Sequence, residues 1–293
     1  MYRSDLGTMQ CEARAQLLCD GFVDQEGAGM LQSSIAVAAR RLREAAESGR
    51  QCEPVRHLLG SDSDVSAAYA VQQVNTDLAV SEGRRITGRK IGLTSEAVQQ
   101  QLGFGQPVSG VLFADRCVAD GIDVAAGTLM QPRAEAEIAV VLGDDLDKGT
   151  HTVVDIISAI AYVLPAIEIV DSRIADWDLT VVDMVADNAC SGFYVVGSTP
   201  MSLSDLRIRK GEVRMNLRLN GKRAWPDEGP EWAALGGHPL HALVWLADAM
   251  CDRGTPLAAG ECVMTGSLGP MVPLSPGDEI DVGGVATRLA TDG

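Results

Sequence analysis

The sequence predicts an α+β protein, with helices in its N-terminal part and short strands in the remainder. Residues 29–49 and 63–83 carry apolar side chains at helical spacing, and both stretches are rich in alanine. From about residue 86 onward, short runs of Val, Ile and Leu are separated by Gly, Pro and Asp, as in a β-rich domain. We therefore expect an N-terminal helical region at 1–85 and a β-rich domain at 86–293.

Local signals support each predicted element. The first helix ends at Gly49, and the second begins at a Ser/Asp start. Two further helices are expected within the β-rich part, at 152–164 and at 238–254, the latter with Pro239 in its first turn. The predicted strands cover 110–113, 136–142, 166–172, 192–197, 213–221, 261–266 and 278–282.

The composition limits the classes of partner. A formal net charge of −16 disfavours nucleic acids and anionic membranes, because both are bound through an excess of Lys and Arg. The chain has neither an apolar run near the roughly 20 residues that span a bilayer nor an N-terminal signal core. Its seven cysteines are scattered without a CxxC pair, as reduced thiols are. We expect a cytoplasmic protein with a small-molecule substrate.

Two glutamates interrupt one of the predicted strands. Glu135 and Glu137 are two residues apart, so a strand places both on one face, while the alternate residues form an apolar face. A solvated edge strand would explain an isolated Glu-x-Glu pair. Glu168 weakens that interpretation, because it lies inside a second apolar run, AIEIV. Three carboxylates in buried strands would repel one another, so the pattern indicates a shared counter-ion.

The residue types indicate which counter-ion this is. Ligands that are all oxygen, without His or Cys, favour a hard divalent cation, with Mg²⁺ first and Mn²⁺ or Ca²⁺ after it. Three carboxylates leave half of an octahedral shell open. Substrate oxygens would bind there, and charge on an oxyanion would be stabilised.

Other polar side chains could complete such a site. Lys90, in a Gly-flanked stretch, is either a surface lysine or an acid, base or anion clamp beside the metal. The turn from Thr265 to Gly269 offers N–H groups and hydroxyls to an anion, although many such turns only reverse the chain. A polar cluster after Glu168 contains either substrate contacts or ordinary turn residues. It comprises Asp171, Asp187, Asn188 and Ser191.

Six ordered segments carry a resemblance to a known family. They read GRKIGLTSEAVQQQLG, LMQPRAEAEIAVVL, VLPAIEIVDSRIADW, VADNACSGFYVVG, GHPLHALVWLA and TGSLGPMVPLSPGD. Together they closely resemble the 2-keto-4-pentenoate hydratase family, which is part of the fumarylacetoacetate hydrolase superfamily. The resemblance runs from about residue 35 to the end of the chain. The 2-oxo-3-hexenedioate decarboxylases share this scaffold, but the third and fourth segments look more like the hydratases.

The resemblance implies a mixed β-roll or sandwich as the catalytic body, an N-terminal helical region and a homo-oligomer. It implies Mg²⁺ or Mn²⁺ held by Glu135, Glu137 and Glu168, with Lys90 as a catalytic residue and Asp171 supporting the ligands from behind. Six further residues would contact the substrate. They are Ile91, Leu93, Asn188, Ser191, Thr265 and Ser267.

The resemblance also implies a reaction. The family substrate is a 2-hydroxy-2,4-dienoate, formed in the meta-cleavage degradation of aromatic compounds. Its 2-oxo form offers a carboxylate oxygen and the adjacent 2-oxygen to a metal. We expect the bound dienol to ketonise by protonation at its far carbon. Water then adds at C4 while negative charge collects on the 2-oxygen, and protonation at C3 gives a 4-hydroxy-2-oxo acid.

Two departures from the family pattern keep other reactions open. Val108 stands in QPVSG where relatives read QPDFG, and segment 223–237 contains Trp225, Pro226 and Trp232 in place of a Gly-rich turn. A 2-oxo-enedioate decarboxylase, or a lyase, isomerase or cyclase recruited to the same scaffold, is the enzymatic alternative. A non-catalytic binding protein or partner subunit is the other class, but the retained acidic cluster and lysine argue against it.

Overall fold

In the described part of the chain, three helices precede the first strand. The computed structural model describes residues 25–60, 64–96, 99–100, 103–204, 217–225 and 238–291. Helix α1 spans Gln25–Ser48, α2 spans Arg56–Leu59 and α3 spans Ser66–Ser81. The helices predicted at 29–49 and 63–83 are therefore confirmed over the described residues.

These helices share a core with two elements of the β-rich part, strand β2 (Val108–Phe113) and helix α5 (Val181–Ala186). Helix α5 was not predicted; it begins at a capping box in which Thr180 and Asp183 satisfy each other's backbone N–H groups. The fully buried members of this core include Ala38, Ala39, Val55, Ala68, Val71, Val108, Val182 and Val185. Because the core crosses residue 85, the division into two domains stays a prediction.

A mixed eight-stranded sheet forms the centre of the fold. Besides β2, its strands are β1 (Ile86–Gly92), β3 (Cys117–Ala119), β4 (Arg133–Leu142), β5 (Ile160–Val170), β6 (Ser191–Val196), β9 (Cys262–Met264) and β10 (Val272–Pro273). The order is β2-β1-β9-β4-β5-β6-β3, with β10 paired to β4. The pairs β1–β9 and β3–β6 are parallel, and β4 is antiparallel to both β5 and β9.

This sheet is rolled. The hydroxyl of Tyr194 in β6 lies 2.8 Å from the hydroxyl of Thr87 in β1, although β9, β4 and β5 stand between those strands. Two strands so far apart in the order can share a hydrogen bond only if the sheet curls back toward itself. The expected α+β class with a β-roll body is confirmed.

A second sheet and a helix cover the back of the rolled sheet. The second sheet has the order β12-β11-β7-β8 and consists of β7 (Leu217–Leu219), β8 (Lys222–Arg223), β11 (Glu279–Val282) and β12 (Val285–Arg288). It packs on one end of β4 and β5, while helix α6 (Pro239–Asp252) packs on the other end through Leu243 and Leu246. The apolar face predicted for β4 therefore lies against this cover, and the glutamates lie on the front.

The prediction of a helix at 152–164 is wrong for the second half of that segment. Helix α4 spans only Val153–Ala159, starting from a capping box at Thr152, and β5 begins at Ile160. Residues 160–164 pair with β4, where Val163 faces Val140 and Leu164 faces Ala139. Pro165 also disfavours a helical conformation in the residue before it. The strand partner, which no local signal reveals, decides the conformation.

The other predicted elements are confirmed where they are described. An observed strand lies within each of the seven segments that were predicted to be strands. Helix α6 begins with Pro239 in its first position, directly after His238, whose ring accepts the N–H of Leu240. Residues 213–216 and 226–237, the latter with Pro226 and Trp232, lie outside the described residues. Among the helices described, none is long and apolar enough to cross a membrane.

Candidate metal centre and active site

Three glutamates meet on the front of the rolled sheet. In the ladder between β4 and β5, Glu135 lies directly opposite Glu168, and Glu137 lies two residues further along the same face of β4. Carboxylate oxygens of all three lie within 4.8 Å of one another. Glu137 and Glu168 are fully buried and Glu135 is half-buried. The alternation read from the sequence thus brings the predicted carboxylates together.

Three buried oxygens in this cluster have no hydrogen-bond donor among the described residues. Glu137 Oε2 accepts the N–H of Gly266 at 2.8 Å, but Glu137 Oε1 and both oxygens of Glu168 have no hydrogen-bond partner among the described residues. Burial is the main reason that the pKa of Glu135 is raised to about 7, with a smaller contribution from Glu168. Burial, then Glu168 and Glu135, raises the pKa of Glu137 well above its ordinary value.

The cluster fits a divalent cation. Buried carboxylate oxygens without donors are costly, and a cation would satisfy them and offset their mutual repulsion. The donor set consists of oxygen atoms, which suits a hard ion. Glu135, Glu137 and Glu168 can therefore hold such an ion.

Lys90 stands beside the carboxylates on strand β1. Its Nζ lies 3.3 Å from Glu168 Oε1 and donates a hydrogen bond of 2.9 Å to the backbone oxygen of Ala189. The side chain is buried, and burial alone would lower its pKa. The attraction of Glu168, Glu135 and Glu137 outweighs burial and raises the pKa above its ordinary value. In the metal-free fold, the three carboxylates therefore favour the charged form of Lys90.

Val108 also borders this site. In the antiparallel ladder of β1 and β2, Gly92 faces Val108 and Lys90 faces Gly110, so all four share one face of the sheet. A Cβ atom added to Gly92 would lie 3.2 Å from Val108 Cγ2 and 3.9 Å from Lys90 Nζ. The departure from the family pattern is therefore adjacent to Lys90, and it adds an apolar surface where the resemblance implies an acid.

The turn after β9 supplies a backbone donor. Gly266, with φ +97°, gives its N–H to Glu137, so the anion that meets this turn is a carboxylate of the protein itself. The Thr265 hydroxyl donates to the Ile138 oxygen, and the Ser267 hydroxyl donates to the Gly269 oxygen. A Cβ on Gly269 would collide with the Trp225 ring at 2.6 Å, so this tryptophan covers the turn.

Three predicted site residues near β6 form hydrogen bonds within the protein. The Asn188 side chain accepts the Val111 N–H at 2.7 Å and donates to the Val111 oxygen at 3.0 Å. The Asp171 carboxylate accepts the Gln131 N–H at 2.7 Å and also the Met130 N–H. The Ser191 backbone oxygen accepts from Arg173. Direct contact of these residues with a substrate stays a prediction.

Ile91 and Leu93 lie in apolar surroundings. Ile91 is fully buried in the core beneath α6, on the face of β1 opposite to Lys90. Leu93, with φ +55°, packs against the core that the N-terminal helices share. Their substrate contacts remain predictions, and the structure separates the Ile91 side chain from the carboxylates.

A cavity of about 410 Å³ lies against the turn before β6. Asp171, Asn188 and Ser191 are in its walls, together with residues of α1 and α3 and the side chains of Arg84 and Arg116. The described residues that line it do not include the three glutamates or Lys90. The predicted site residues are thus divided between the carboxylate cluster and a separate cavity.

Sequence reasoning missed the backbone groups of the site. The carbonyl of Ala189 and the N–H of Gly266 contact Lys90 and Glu137, respectively. A glycine in a turn often leaves its backbone N–H available, so the sequence GSLG at 266–269 indicated such a donor. Nothing in the sequence NAC at 188–190 indicates that the Ala189 carbonyl would accept a hydrogen bond from a lysine.

Comparison with known proteins gives a consistent result. Residues 88–291 match the family model described as fumarylacetoacetate (FAA) hydrolase C-terminal. The chain is 49% identical over 249 residues to the TodF product hydratase of Pseudomonas putida F1, covering 85% of this chain and 91% of that protein. It is 50% identical over 240 residues to the 2-keto-4-pentenoate hydratase of Burkholderia vietnamiensis, covering 82% and 89%.

Among solved structures, 4-oxalocrotonate decarboxylase from Pseudomonas putida G7, in complex with magnesium and adipate, superposes with a TM-score of 0.80. The two are 32% identical, and the match covers 88% of this chain and 98% of that one. The identity to several hydratases, over most of both chains, exceeds the identity to the decarboxylase. The chain belongs to the 2-keto-4-pentenoate hydratase family of the fumarylacetoacetate hydrolase superfamily.

Proposed function

We propose that this protein is a divalent-metal-dependent hydratase that adds water to a 2-hydroxy-2,4-dienoate and releases a 4-hydroxy-2-oxo acid. One observation carries the proposal: three clustered glutamates, two of them with buried oxygens that lack a hydrogen-bond donor, lie beside Lys90 in a chain about half identical to hydratases. This reaction belongs to the meta-cleavage degradation of aromatic compounds. The protein is accordingly a hydro-lyase.

The ligands we propose are Glu135, Glu137 and Glu168, with Mg²⁺ as the ion and Mn²⁺ as its substitute. Oxygen donors of this kind suit Mg²⁺, which keeps open positions for substrate oxygens. The magnesium in the related decarboxylase structure supports the choice. When bound, the ion would take a carboxylate oxygen and the 2-oxygen of the substrate and would stabilise negative charge on that 2-oxygen.

The protein's own residues prepare the site for this chemistry. The Gly266 N–H holds one oxygen of Glu137 and leaves the other free, which orients the carboxylate. Lys90 Nζ lies beside Glu168, whose carboxylate favours the protonated amine in the metal-free fold. We propose that this ammonium group stabilises the substrate's 2-oxygen as water adds at C4. Proton transfer by Lys90 is the alternative role.

The experiment is a hydration assay. The purified protein is incubated with freshly generated 2-hydroxypenta-2,4-dienoate with Mg²⁺ or with EDTA, and loss of the dienol absorbance is followed. We expect turnover only with Mg²⁺, and a loss of about 100-fold or more in Glu135→Gln. Glu44→Gln, an exposed residue of α1, is the control. Turnover that is indifferent to both the metal and Glu135→Gln would contradict the proposal.

The mass of the product separates the alternatives. A hydratase product gains one water, whereas a 2-oxo-3-hexenedioate-type decarboxylase would release carbon dioxide from a dicarboxylate substrate. Val108, an apolar residue beside Lys90, is the observation that supports the third alternative, a recruited lyase, isomerase or cyclase.

Val108→Asp is the probe for such a recruited reaction. If the valine has shifted the reaction, the aspartate restores hydration by about 10-fold or more. Val108→Asn is the matched control, because it has the same shape without the acid. Equal hydration rates in wild type and Val108→Asp would show that the natural protein, with valine at this position, does not need an acid there for hydration. The homo-oligomer and the cytoplasmic location stay predictions, and gel filtration with light scattering tests the first.

A further inference from the structure

Three successive residues of the turn before β6 have left-handed backbone conformations. Asn188, Ala189 and Cys190 have φ values of +53°, +50° and +56°. Residues with a side chain rarely adopt this region, and asparagine is the one type here that tolerates it well. A run of three persists only where surrounding contacts hold it, and such strain is concentrated at functional sites.

Contacts from strand β2 hold the turn on one side. The Asn188 amide forms two hydrogen bonds to the backbone of Val111, as a neighbouring strand would. The adjacent Gly110 leaves room for the turn, because a Cβ atom at this position would lie only 2.5 Å from the backbone oxygen of Asn188. Asn188 thus ties the turn to the strand that pairs with β1.

A buried ion pair holds the turn on the other side. The Asp187 carboxylate accepts from the Arg173 guanidinium and from the Arg173 N–H at 3.0 Å. The Arg173 guanidinium also donates to the Asp187 and Ser191 oxygens. Both ends of the left-handed run are therefore fixed, and its middle peptide has little freedom.

That middle peptide meets Lys90. The Ala189 oxygen accepts the hydrogen bond from Lys90 Nζ, and Lys90 is the residue directly opposite Gly110 in the β1–β2 ladder. The same two strands therefore carry the lysine and anchor the turn that receives it. In a buried site, a carbonyl acceptor and a carboxylate that both contact an ammonium group restrict its position.

We infer that Asn188 is a positioning residue that acts through the left-handed turn. Its side chain locks the turn on Val111, and the turn presents the Ala189 carbonyl that holds Lys90 Nζ beside Glu168. Both groups of its amide serve the backbone, so Asn188 acts on the lysine rather than on the substrate. The inference rests on the proposed function in one respect, the catalytic role of Lys90. The positioning of Lys90 by Asn188 does not depend on it.

Chemical labelling of lysine tests the position of Lys90 independently of activity. The sequence contains four lysines, Lys90, Lys148, Lys210 and Lys222, so each is resolved by peptide mass spectrometry after reductive methylation. Lys90 is buried and Lys222 is exposed. In the folded, metal-free wild type we expect Lys222 to react and Lys90 to stay protected.

The variants separate the side chain from the backbone conformation. Asn188→Ala removes the two bonds to Val111 and adds strain, whereas Asn188→Gly removes the bonds and tolerates the left-handed conformation. Asn220→Ala is the matched control, since Asn220 is also left-handed (φ +52°) and also bonds backbone and side chain, to Glu279 and Asp278, in the second sheet.

We expect both Asn188 variants to expose Lys90 to methylation. Their kcat should fall about 10- to 100-fold with KM changed by less than about threefold, because the lysine is misplaced while the carboxylates remain. Asn220→Ala should match the wild type in both measurements. If Asn188→Ala does not fold, Asn188→Gly decides.

Protected Lys90 and full kcat in Asn188→Gly would overturn the inference. A rise in KM alone would equally overturn it and assign Asn188 to the substrate. If the wild type does not hydrate the dienoate, the proposed function fails, whereas the labelling pattern still reports whether Asn188 positions Lys90.

Discussion

Two sites of buried carboxylates in this molecule treat them in opposite ways. At the start of helix α5, each oxygen of Asp183 is satisfied: Oδ1 accepts the N–H groups of Val55 and Arg56, and Oδ2 accepts from the Arg56 guanidinium and from Thr180. In the β4–β5 site, three oxygens of Glu137 and Glu168 have no hydrogen-bond donor among the described residues, and Lys90 Nζ lies 3.3 Å from one of them. The first region is complete in itself, whereas the second is complete only with a ligand.

The difference separates a structural carboxylate from a functional one. Burial is similar in both regions, since Asp183, Glu137 and Glu168 are all fully buried. What differs is the supply of backbone N–H groups and arginine, which in the first region offsets the cost of removing a charge from water. The proposed metal site lacks most of this compensation, so its oxygens are available to a ligand.

The largest expected effect is the loss of stability when the Asp183 network is disrupted. Asp183→Asn removes the charge that pairs with Arg56 and substitutes an N–H₂ group for an acceptor, so we expect a loss of about 3–5 kcal/mol in the free energy of unfolding. Urea denaturation measures it. A loss below about 1 kcal/mol would mean that the buried network does not support the helical part.

A smaller effect of the opposite sign is expected when a ligand completes the metal site. Mg²⁺ at 100 times its Kd should raise the free energy of unfolding by about 2.7 kcal/mol relative to EDTA. In Glu137→Gln the gain from Mg²⁺ should be largely lost, while the EDTA form should be equal to or about 1 kcal/mol more stable than wild type, because one buried charge is gone. Thermal unfolding with and without Mg²⁺ provides both values.

A chelator that leaves the wild-type melting temperature unchanged would contradict this use of the carboxylates. Asp183→Asn serves as the control, since it should keep the full gain from Mg²⁺. The same kind of substitution, acid to amide, thus has opposite consequences in the two regions.

The smallest effect concerns pH, because Glu135 is only half-buried and solvent screens its charge. Burial raises the pKa of Glu135 from the ordinary 4.5 to about 7 in the metal-free fold, so between these values the folded state binds a proton that the unfolded state has released. This contribution to stability is present below pH 4.5 and is lost as the pH rises through 7. Bound Mg²⁺ excludes the proton and removes the effect.

The measurement is the difference in melting temperature between wild type and Glu135→Gln from pH 4.5 to 7.5. With EDTA, wild type should lose stability relative to the variant as the pH rises. A flat difference with EDTA would show that Glu135 ionises normally and that the site is more hydrated than its burial indicates.

The sequence predicted that three glutamates come together, because their signal is local. Glu135, Glu137 and Glu168 each stand in an apolar run, and alternation alone puts the first two on one face. The pairing of Glu135 with Glu168 was not predictable, since it depends on the register of β4 against β5. The same ladder reversed the prediction for residues 160–164, which are helical by pattern and extended by pairing.

The substrate contacts were less predictable, for a physical reason. Asn188, Thr265 and Ser267 are polar residues in turns, and such residues bond to backbone as readily as to ligands. Here each one does bond to backbone. Only the positions of Val111, Ile138 and Gly269 in space decide which partner a side chain takes.

By itself, the sequence determined the α+β class, most helices and strands, and the acidic residues of the site. These follow from side-chain periodicity and residue chemistry, which act within a few residues. The tertiary structure alone decided that the sheet rolls, that Ala189 presents its carbonyl to Lys90, and that Val108 lies beside that lysine. These arrangements depend on strand register and on backbone strain held by distant contacts, and neither is encoded in any one segment of the chain.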